Sequence, residues 1–388
     1  MARKLRSDCY PKLRQGAEAI LTLADFGEVR MKVSVLIITY NHERYIAQAI
    51  NSVLLQNVDF DYELVIGEDC STDNTRNIVI DFRARYPDKI RLVLSDSNVG
   101  AYRNWTRTLK ECQGEYFANL DGDDYWTSPD KLQKQVDFLD GHPECSICFH
   151  NASVFFEDGQ RDPYNFCPAN QKEISTLEDL LEADYIPSCA RMVRGSLFDG
   201  FPDWSHQVAN GDALLNILLA RRGKVGYIAE VLGAYRIHQG GIWSNLSYMK
   251  KQQMRIIFYK RINELLDFAY ETILNSKITR YWDDLAVTII EQGIDQGAKQ
   301  GTIVNIEDFL RKWPQHLAIP DAWKVHVFSE IYARLVFMTF HSGDLNKTRQ
   351  WWWRLLRYDR SWLKNRGFWS IGVRSIGALI KKRLFKLG

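Results

Sequence analysis

Three carboxylates occupy a stretch of four residues in the first third of the chain, directly after an apolar run. They are Asp121, Asp123 and Asp124, in the segment Asn119–Trp126 (NLDGDDYW). Carboxylates this close repel one another and raise one another's pKa, and a bound cation relieves that repulsion. Mg²⁺ and Mn²⁺ prefer oxygen ligands, and Mg²⁺ commonly takes one or two carboxylates together with phosphate oxygens. The pattern therefore predicts a site for a metal and a diphosphate. The alternative is a solvated turn ahead of a helix at 129–140.

A second acidic segment, Glu68–Thr75 (EDCSTDNT), follows another apolar run and opens another helix. Asp73 and Asn74 are sufficiently explained as candidates for the N-cap of that helix. Glu68 and Asp69 come earlier, at the end of the preceding strand, where a carboxylate can accept a hydrogen bond from a nucleobase imide or a ribose hydroxyl. The segment therefore predicts a nucleoside contact, with Asp69 as the preferred residue.

Polar residues also follow the first strand of the chain. Thr39, Tyr40 and Asn41 stand at its end, and Thr39 and Tyr40 are placed to line a base pocket. His42 is favoured as a surface residue at the start of the next helix rather than as a ligand.

A lone carboxylate, Asp212, opens a helix in the segment NGD. A transfer that inverts an anomeric carbon needs a base that takes the proton of the acceptor hydroxyl as the attack proceeds. Asp212 is a candidate for that base, and the alternative is a helix cap.

A polar segment with two glycines, Tyr235–Ser244 (YRIHQGGIWS), contains further candidate ligand-binding side chains. Arg236 is a candidate phosphate clamp, because its planar fork matches phosphate oxygens. His238 can supply a nitrogen to a metal or donate to a leaving diphosphate, and Trp243 can cover the face of a sugar. The alternative is a polar loop anchored by a tryptophan.

These segments need elements that bring them together. The run Val33–Thr39 is apolar and rich in β-branched residues, which is typical of a buried parallel strand. Strands and helices then alternate with short connections, which predicts a doubly wound α/β sheet. Ligands bind at the carboxyl ends of the strands in such sheets, so the strand-end segments are expected at one edge. The predicted order is a helix at 42–56, a strand at 62–67, a helix at 74–86, a strand at 90–94, a helix at 101–112 and a strand at 116–120.

The later part of the chain has a different pattern. The sequence predicts a strand at 146–156, helices at 176–183 and 212–221, a strand at 225–228 and mainly helices from 247 onward. We therefore divide the chain into an N-terminal extension at 1–30, a catalytic domain at 31–245, a helical accessory domain at 246–350 and a basic, tryptophan-rich amphipathic tail at 351–388.

Bulk composition excludes some classes of protein. The net charge is only +2, from 50 basic and 48 acidic residues, so no overall field favours a nucleic-acid partner. Seven cysteines, no signal peptide and no apolar run of about 18 residues favour a cytoplasmic location. Cys145 and Cys148 form a C-x-x-C, which is favoured as a pair of buried strand residues over a zinc site.

The tail at 351–388 combines five tryptophans with ten basic residues, and Asp359 is its one acid. In 369–387 the apolar residues Val373, Ile376, Leu379, Ile380, Leu384 and Leu387 form a stripe. Tryptophan and basic residues on an amphipathic helix suit an anionic membrane surface, which would place the protein peripherally at the inner face of the cell membrane. The alternative is a helix packed on the protein with a solvated basic face.

Taken together, the motifs resemble glycosyltransferase family 2, whose members have the GT-A fold. The resemblance covers about residues 32–245 and rests on four motifs in order: VSVLIITYN at 33–41, EDCSTDNT at 68–75, Asn98-Val-Gly100 followed by Asn104, and DGDD at 121–124. The segment from Tyr235 through Trp243 is similar to the closing loop of bacterial members that act on surface polysaccharides.

The resemblance implies a role for each motif. Asp69 would contact the base, Asp121 the nucleoside side of the donor, and Asp123 or Asp124 the metal, with His238 as a further candidate ligand. Asp212 resembles the catalytic base of the family, although Gly211 stands where a glutamate commonly precedes it. The nucleotide-sugar-binding set is Thr39, Tyr40, Asn41, Glu68, Asp69, Asn98, Gly100, Asn104, Asp121, Arg236 and Trp243.

The function implied is an inverting, metal-dependent transfer of a sugar from a nucleotide sugar to an acceptor hydroxyl. Mn²⁺ or Mg²⁺ would be the cofactor, and a glycan or a lipid-linked molecule the acceptor. Three alternatives stay open at this point: a non-catalytic nucleotide-sugar-binding module, a sugar-nucleotide nucleotidyltransferase and a membrane-binding interaction protein. The absence of glycine from Thr39–Arg44 weighs against the nucleotidyltransferase, which usually carries an N-terminal Gly-rich phosphate loop.

Overall fold

A computed structural model describes residues 31–208, 210–241, 243, 246–297 and 321–373. A ten-stranded sheet dominates its first part. The strands are β1 (Met31–Thr39), β2 (Tyr62–Glu68), β3 (Ile90–Leu94), β4 (Gly114–Asp121), β5 (Tyr125–Trp126), β6 (Cys145–Phe156), β7 (Tyr164–Asn165), β8 (Ile174–Ser175), β9 (Arg191–Arg194) and β10 (Lys224–Ile237).

The helices connect the strands and then continue beyond the sheet. They are α1 (Ile46–Leu54), α2 (Thr75–Arg85), α3 (Ala101–Leu109), α4 (Lys131–Gly141), α5 (Leu177–Glu182), α6 (Gly211–Ala220), α7 (Tyr248–Leu265), α8 (Glu271–Gly297), α9 (Asp321–His341) and α10 (Leu345–Tyr358). The alternation predicted for 33–120 is confirmed, with helix ends that differ from the prediction by a few residues.

The sheet is mixed. Its order is β3-β2-β1-β4-β9-β6-β10-β5, with β7 paired to β6 and β8 to β10. The strands from β3 to β4 are parallel, β9 is antiparallel to both of its neighbours, and β6 and β10 are again parallel. The predicted doubly wound α/β class with a helical C-terminal region is confirmed.

Strand β10 is much longer than the predicted strand at 225–228. Its last residues, Tyr235–Ile237, were predicted as part of a polar loop, but they continue the ladder with β6 up to the pair of Ile237 with Phe156. The prediction was wrong because polar and aromatic side chains at the end of a strand resemble a loop until their partner strand is known.

Two hydrophobic clusters cover the two faces of the sheet. One combines inward residues of β1, β2 and β4 with the apolar faces of α1, α2 and α4. The other joins Leu36 and Phe149 of the sheet to α6, α7, α8 and the later helices in one continuous cluster. Burial of apolar area at about 25 cal/mol per Å² is the main term that holds such layers together. Since the cluster is continuous, the accessory helices are fixed against the sheet.

The predicted tail is partly incorporated into this core. Helix α10 crosses the boundary predicted after residue 350, and its Trp352 is buried and stacks on Phe368 at 5.4 Å. The rest of the predicted amphipathic stripe, from Arg374 onward, lies outside the described residues, as do residues 1–30. Within the described residues, no helix is both long enough and apolar enough to cross a bilayer.

The cysteines of the C-x-x-C are buried on β6 as free thiols, as predicted. A less expected buried residue is Lys131 at the start of α4. Its side chain is fully buried, its Nζ lies 3.8 Å from the ring centre of Trp126, and it has no hydrogen-bond partner among the described residues. Burial lowers the pKa of Lys131 to about 7.

Replacing Lys131 by methionine is expected to stabilise the protein. Between pH 7 and 10.5 the unfolded chain binds a proton at Lys131 that the folded protein does not, so wild-type stability rises as pH rises through this window. At pH 7 the shift corresponds to roughly 3–4 kcal/mol of destabilisation, which the methionine removes. Urea unfolding at pH 7, 8.5 and 10 checks this. At pH 7 the methionine variant should have the larger free energy of unfolding, and between pH 7 and 10 its stability should not show the rise with pH that Lys131 causes in the wild type. A variant that is less stable than the wild type at pH 7 would contradict the lowered pKa of Lys131.

Candidate functional site

A cleft of about 1860 Å³ opens at the carboxyl edge of the sheet. The ends of β1, β4 and β10 form its floor, and α6, α7 and α8 form one wall. Sites for drug-sized ligands typically measure about 300–1,000 Å³. The cleft is therefore large enough for a donor molecule and part of a second substrate.

Strand register brings the predicted loops to this one edge. Thr39 of β1 pairs with Glu68 of β2, and Ile38 pairs with Asp121 of β4. The backbone N–H of Asp69 donates to the carbonyl of Thr39 at 3.1 Å, and that of Gly122 donates to the carbonyl of Ile38 at 3.1 Å. The two acidic segments are therefore neighbours, although they are far apart in the sequence.

Gly122 is required by a close approach at this edge. A Cβ at residue 122 would lie 2.8 Å from Thr39 Oγ1 and 2.8 Å from His42 Nδ1. The loop with the three carboxylates can therefore rest directly on the end of β1.

Asp121 ends β4 and lines the cleft. Its Oδ2 accepts a hydrogen bond of 2.8 Å from the hydroxyl of Ser188. Burial and the neighbouring charge of Asp123 raise the pKa of Asp121 to about 6. The carboxylate is thus held toward the cavity in surroundings that favour a compensating cation.

Asp123 is held by two histidines. Its Oδ2 accepts from Nε2 of His238 at 3.0 Å and lies 3.7 Å from Nε2 of His42. Burial acts to raise the pKa of Asp123, but the hydrogen bond from His238 and the nearness of His42 and His238 outweigh it and lower the pKa. His42 was favoured as a surface residue at a helix start, and the structure corrects this, since the residue faces Asp123.

The two nitrogens of His238 are both engaged. Nδ1 accepts from the backbone N–H of Gly240 at 3.1 Å, so Nε2 carries the proton that is donated to Asp123. His238 lines the cleft and contacts Asp123, and its role as a metal ligand stays a prediction.

Asp124 is outside the described lining of the cleft, as is Asp123. It is 2% exposed, its Oδ1 accepts from the backbone N–H of Arg236 at 2.8 Å, and its Oδ2 has no partner among the described residues. Burial and the charges of Asp123 and Asp121 raise the pKa of Asp124 well above its usual value. The carboxyl group joins its loop to β10, and its role as a metal ligand stays a prediction.

Arg236 is also used within the protein. Its Nε donates to the carbonyl of Asp123 at 2.8 Å, its Nη2 donates to Gln48 at 2.7 Å, and its guanidinium lies 4.7 Å from the ring centre of Tyr45. The side chain is absent from the described lining of the cleft. The predicted phosphate clamp is thus a brace for the carboxylate loop.

Glu68 is part of the framework as well. It is fully buried, with Oε2 at 2.5 Å from Nε of Arg76 and Oε1 accepting from the N–H of Ser71 at 2.6 Å. This ion pair fixes the turn that follows β2. The predicted ligand contact of Glu68 is corrected for that reason.

Asp69 secures the loop around Asn98 and Gly100. Its two carboxylate oxygens accept from the N–H groups of Val99 and Gly100, both at 2.9 Å. The side chain of Asn98 accepts from the same Gly100 N–H at 3.2 Å, and Gly100 has a positive φ of 86°, which favours glycine. The predicted nucleoside loop and the N-x-G segment therefore form one unit.

Asn104 lies beneath this unit and does not reach the cleft. It is buried, its Nδ2 donates to the carbonyl of Gly67 at 2.8 Å, and its Oδ1 accepts from Arg107 at 3.0 Å. Gly67 leaves the space for this contact, because a Cβ there would lie 1.9 Å from the hydroxyl of Thr108. The predicted ligand contact of Asn104 is corrected to a packing role.

The end of β1 links the other loops. Thr39 is buried, with Oγ1 at 3.3 Å from Nδ1 of His42, and Tyr40 is exposed. Asn41 has a positive φ of 56°, and its side chain accepts from the N–H of Thr72 at 2.8 Å. The predicted nucleotide loop is thus bound to the acidic turn after β2.

Asp212 stands in the first turn of α6 and is exposed in the cleft. Its Oδ1 accepts from the N–H of Ala213 at 2.8 Å. Arg191 is buried behind it and donates to the carbonyl of Asp212 at 3.1 Å and to Asn216 at 3.2 Å. The helix start is therefore fixed from below while the carboxylate faces the cavity. Trp243 lines the same cleft, as predicted.

Two functional candidates had no signal in the sequence. Asp184 lines the cleft near Asp212 in an irregular segment, and the buried Arg191 stands in a four-residue strand; neither belongs to a recognisable motif. The surface of Asp184 is open to the solvent of the cleft, but the surrounding walls and the charge of Asp212 raise the pKa of Asp184 to about 6. Asp121, Asp212 and Asp184 all line the cleft, and the charge of Asp212 acts on both of the others.

The known proteins to which this chain is similar point to the same family. The sequence profile of Glycosyl transferase family 2 matches residues 34–200. TuaG of Bacillus subtilis, named for a glycosyltransferase of teichuronic acid biosynthesis, is 31% identical over 215 residues, which are 55% of this chain and 82% of TuaG. The uncharacterized protein Rv1520 of Mycobacterium tuberculosis is 36% identical over 211 residues, which are 54% of this chain and 60% of Rv1520. The match thus spans about three fifths of that relative.

A solved structure has the same fold. Residues 1–349 of TarS from Staphylococcus aureus, in complex with UDP-GlcNAc, superpose with a TM-score of 0.52 at 20% identity, covering 83% of this chain and 90% of that chain. The predicted GT-A fold is thereby confirmed.

Proposed function

The chain belongs to glycosyl transferase family 2, and from this membership we propose that its cleft moves a sugar from a nucleoside diphosphate sugar to an acceptor hydroxyl, with inversion at the anomeric carbon. One observation carries the proposal: Asp121 and Asp212 line a single cleft at the carboxyl edge of the sheet, close enough for the charge of Asp212 to act on Asp121. Asp121 would serve the donor and Asp212 the acceptor. The nucleotidyltransferase and pure membrane-binding alternatives do not fit the family.

The donor would lie over the loops at the ends of β1, β2 and β4. Thr39, Tyr40 and Asn41 would lie beside the base, and Asp69 would accept from the base with the lone pairs that its two backbone hydrogen bonds leave free. A nucleotide-sugar donor is supported by the UDP-GlcNAc in the related TarS structure. The family and the name of TuaG support a place in polysaccharide synthesis.

The carboxylates suit a divalent cation that also binds phosphate. Within the described residues, no group of three or more acidic, histidine or cysteine side chains surrounds a metal position on its own. Mg²⁺-type sites need only one or two carboxylates when phosphate oxygens complete the shell. Burial and the charge of Asp123 raise the pKa of Asp121, and a cation bound beside it would favour its ionised form. Asp121 and Asp123 would hold Mn²⁺ or Mg²⁺, which when bound would stabilise charge on the leaving diphosphate.

Asp212 would act as the general base. The acceptor oxygen forms a bond to the anomeric carbon as its proton moves to Asp212, and the bond from that carbon to the diphosphate oxygen breaks, so that the electron pair leaves with the nucleoside diphosphate. Arg191 would hold the first turn of α6 in position. Trp243 would cover the sugar and limit the access of water.

The stereochemical outcome tests the proposal. Once a donor that is turned over has been identified, proton NMR of the first product formed should show the anomeric configuration opposite to that of the donor. A product with retained configuration would contradict the single displacement and the role of Asp212.

Membrane attachment through the tail stays a prediction. Trp352 is not available to a bilayer because it is buried, whereas Trp353 and Trp369 are exposed. A cytoplasmic position at the inner face of the membrane, with a lipid-linked acceptor, would follow if those side chains bind vesicles of anionic lipid.

A further inference from the structure

Helices α7 and α8 wall the cleft beside Asp212, and each turns one polar stripe toward it. The spacings of three and four residues place the members of each stripe on a single helix face. The stripes are Tyr248, Lys251, Gln252, Arg255 and Tyr259 on α7, and Lys277, Arg280, Tyr281 and Asp284 on α8.

Three cations of these stripes are close together. Lys277 feels the positive charges of Arg255 and Arg280, and its Nζ donates to the carbonyl of Leu181 at 2.9 Å. Burial, reinforced by those two charges, lowers the pKa of Lys277 to about 8, even though the carboxylate of Asp184 acts in the opposite direction. Like charges held together at a partly buried position favour the binding of an anion.

Aromatic rings hold two of these cations, Arg255 and Lys277, in place. The guanidinium of Arg255 lies 5.5 Å from the ring centre of Trp243 and 5.5 Å from that of Tyr281. Lys277 lies 4.5 Å from the ring centre of Tyr259, which stacks on Tyr281 at 5.7 Å. Cation–π contacts orient charged groups without neutralising them. The wall thus presents flat rings and oriented positive charge to whatever enters the cleft.

The cations of the wall lie near Asp212 in the cleft. Asp184 is close enough to Asp212, Lys277 and Arg255 to be influenced by all three charges, whereas the main charges acting on Asp121 are those of Asp123, Arg191 and Asp212. Asp212 is therefore within reach of both the carboxylates of the donor end and the cationic wall. A molecule bound at the wall lies near Asp212.

We propose that the acceptor carries a phosphate group, and that Arg255, Lys277 and Arg280 hold this phosphate so that an acceptor hydroxyl lies at Asp212. The inference rests on the proposed function and deepens it. Arginine forks match phosphate oxygens, and charge-assisted hydrogen bonds to phosphate are among the stronger polar contacts. The phosphate belongs either to a phosphodiester in a polyol phosphate chain or to the diphosphate of a lipid-linked sugar.

Calorimetry with defined probes tests the phosphate site without relying on activity. A glycerol phosphate oligomer and, separately, a polyprenyl diphosphate sugar in detergent would be titrated into the full chain saturated with nucleoside diphosphate. We expect one of the two probes to bind, which identifies the source of the phosphate. The double variant Arg255→Gln with Arg280→Gln should bind it roughly 100-fold more weakly, and Lys277→Gln about tenfold. Absence of binding by both probes to the wild type would overturn the inference.

Two controls establish that the three cations act on the acceptor phosphate and not on the donor. Arg261 is on α7 outside the described cleft lining and pairs with Glu264, so Arg261→Gln should leave probe binding unchanged. The affinity for nucleoside diphosphate should stay within about twofold in all variants, and a selective loss of that affinity in the double variant would assign the cations to the donor instead. If no donor is turned over by the wild type, the proposed function fails, whereas the calorimetric result still decides the phosphate site.

Discussion

Asparagine at position 212 is expected to reduce turnover by roughly 10³-fold while leaving donor affinity within about twofold, since a positioned base contributes about 10²–10⁴-fold. Asparagine has the size of aspartate, and its amide oxygen can still accept from the N–H of Ala213. It cannot take the proton of the acceptor hydroxyl. The variant should therefore fold, bind the donor and fail in the chemical step.

Asp184 provides the matched control for this measurement. It is a carboxylate in the same cleft that is influenced by the charge of Asp212 and by the cations Lys277 and Arg255. Initial rates of nucleoside diphosphate release with acceptor should be reduced far more by Asp212→Asn than by Asp184→Asn. If Asp184→Asn reduces the rate more than Asp212→Asn, Asp184 is the base. If both variants keep near wild-type rates, neither residue is the base.

Alanine at position 123 is expected to abolish the dependence of donor binding on metal. Asp123 is the carboxylate that two histidines keep ionised, as its lowered pKa indicates. The alanine variant lacks one of the two carboxylates proposed to hold the metal ion. Its affinity for the nucleoside diphosphate in Mn²⁺ should therefore be weaker by about 100-fold, which corresponds to about 2.7 kcal/mol. In EDTA, wild type and variant should bind the nucleoside diphosphate with similar, low affinity.

Calorimetry with and without Mn²⁺ gives this comparison directly. Asp158 is a suitable control, because it lines the cleft, is exposed and accepts a hydrogen bond from the N–H of Gln160 within its own turn. Asp158→Ala should retain the full effect of Mn²⁺. Unchanged affinity of Asp123→Ala in Mn²⁺ would reject the metal site, whatever the activity of the variant.

Much of the sheet could be predicted from the sequence because its first half is built from local signals. Apolar β-branched runs alternate with amphipathic helices from Val33 to Leu120, and each strand end carries polar residues. The short strands β5 and β9 could not be predicted. Strands this short contain no periodicity, and they form only because long-range partners are in place.

The site was predicted at the level of loops and less well at the level of atoms. Asp121, Asp212 and Trp243 face the cleft as expected. A carboxylate at a strand end suits a ligand and an internal partner equally well, and the tertiary neighbours decide between them. Glu68 pairs with Arg76, and Asp124 accepts a hydrogen bond from the backbone N–H of Arg236, so both carboxylates are bonded within the protein.

The cationic wall could not be recognised from the sequence at all. Arg255 and Lys277 stand on separate helices among many charged residues, and only the packing of α7 against α8 brings them together. Asp184 and Arg191 were missed for the same reason. Residues that depend on tertiary contacts alone carry no local pattern.

The central claim is that the cleft binds a nucleoside diphosphate together with a divalent cation. A thermal-shift screen of nucleoside diphosphates and their sugars, each with and without Mn²⁺, measures this on the full chain. A ligand at about 100 times its Kd stabilises the folded state by about 2.7 kcal/mol. We predict that at least one nucleotide raises the melting temperature by a few degrees, and by more with Mn²⁺ than without it. If no nucleotide at millimolar concentration shifts the transition in the presence of Mn²⁺, the account is contradicted.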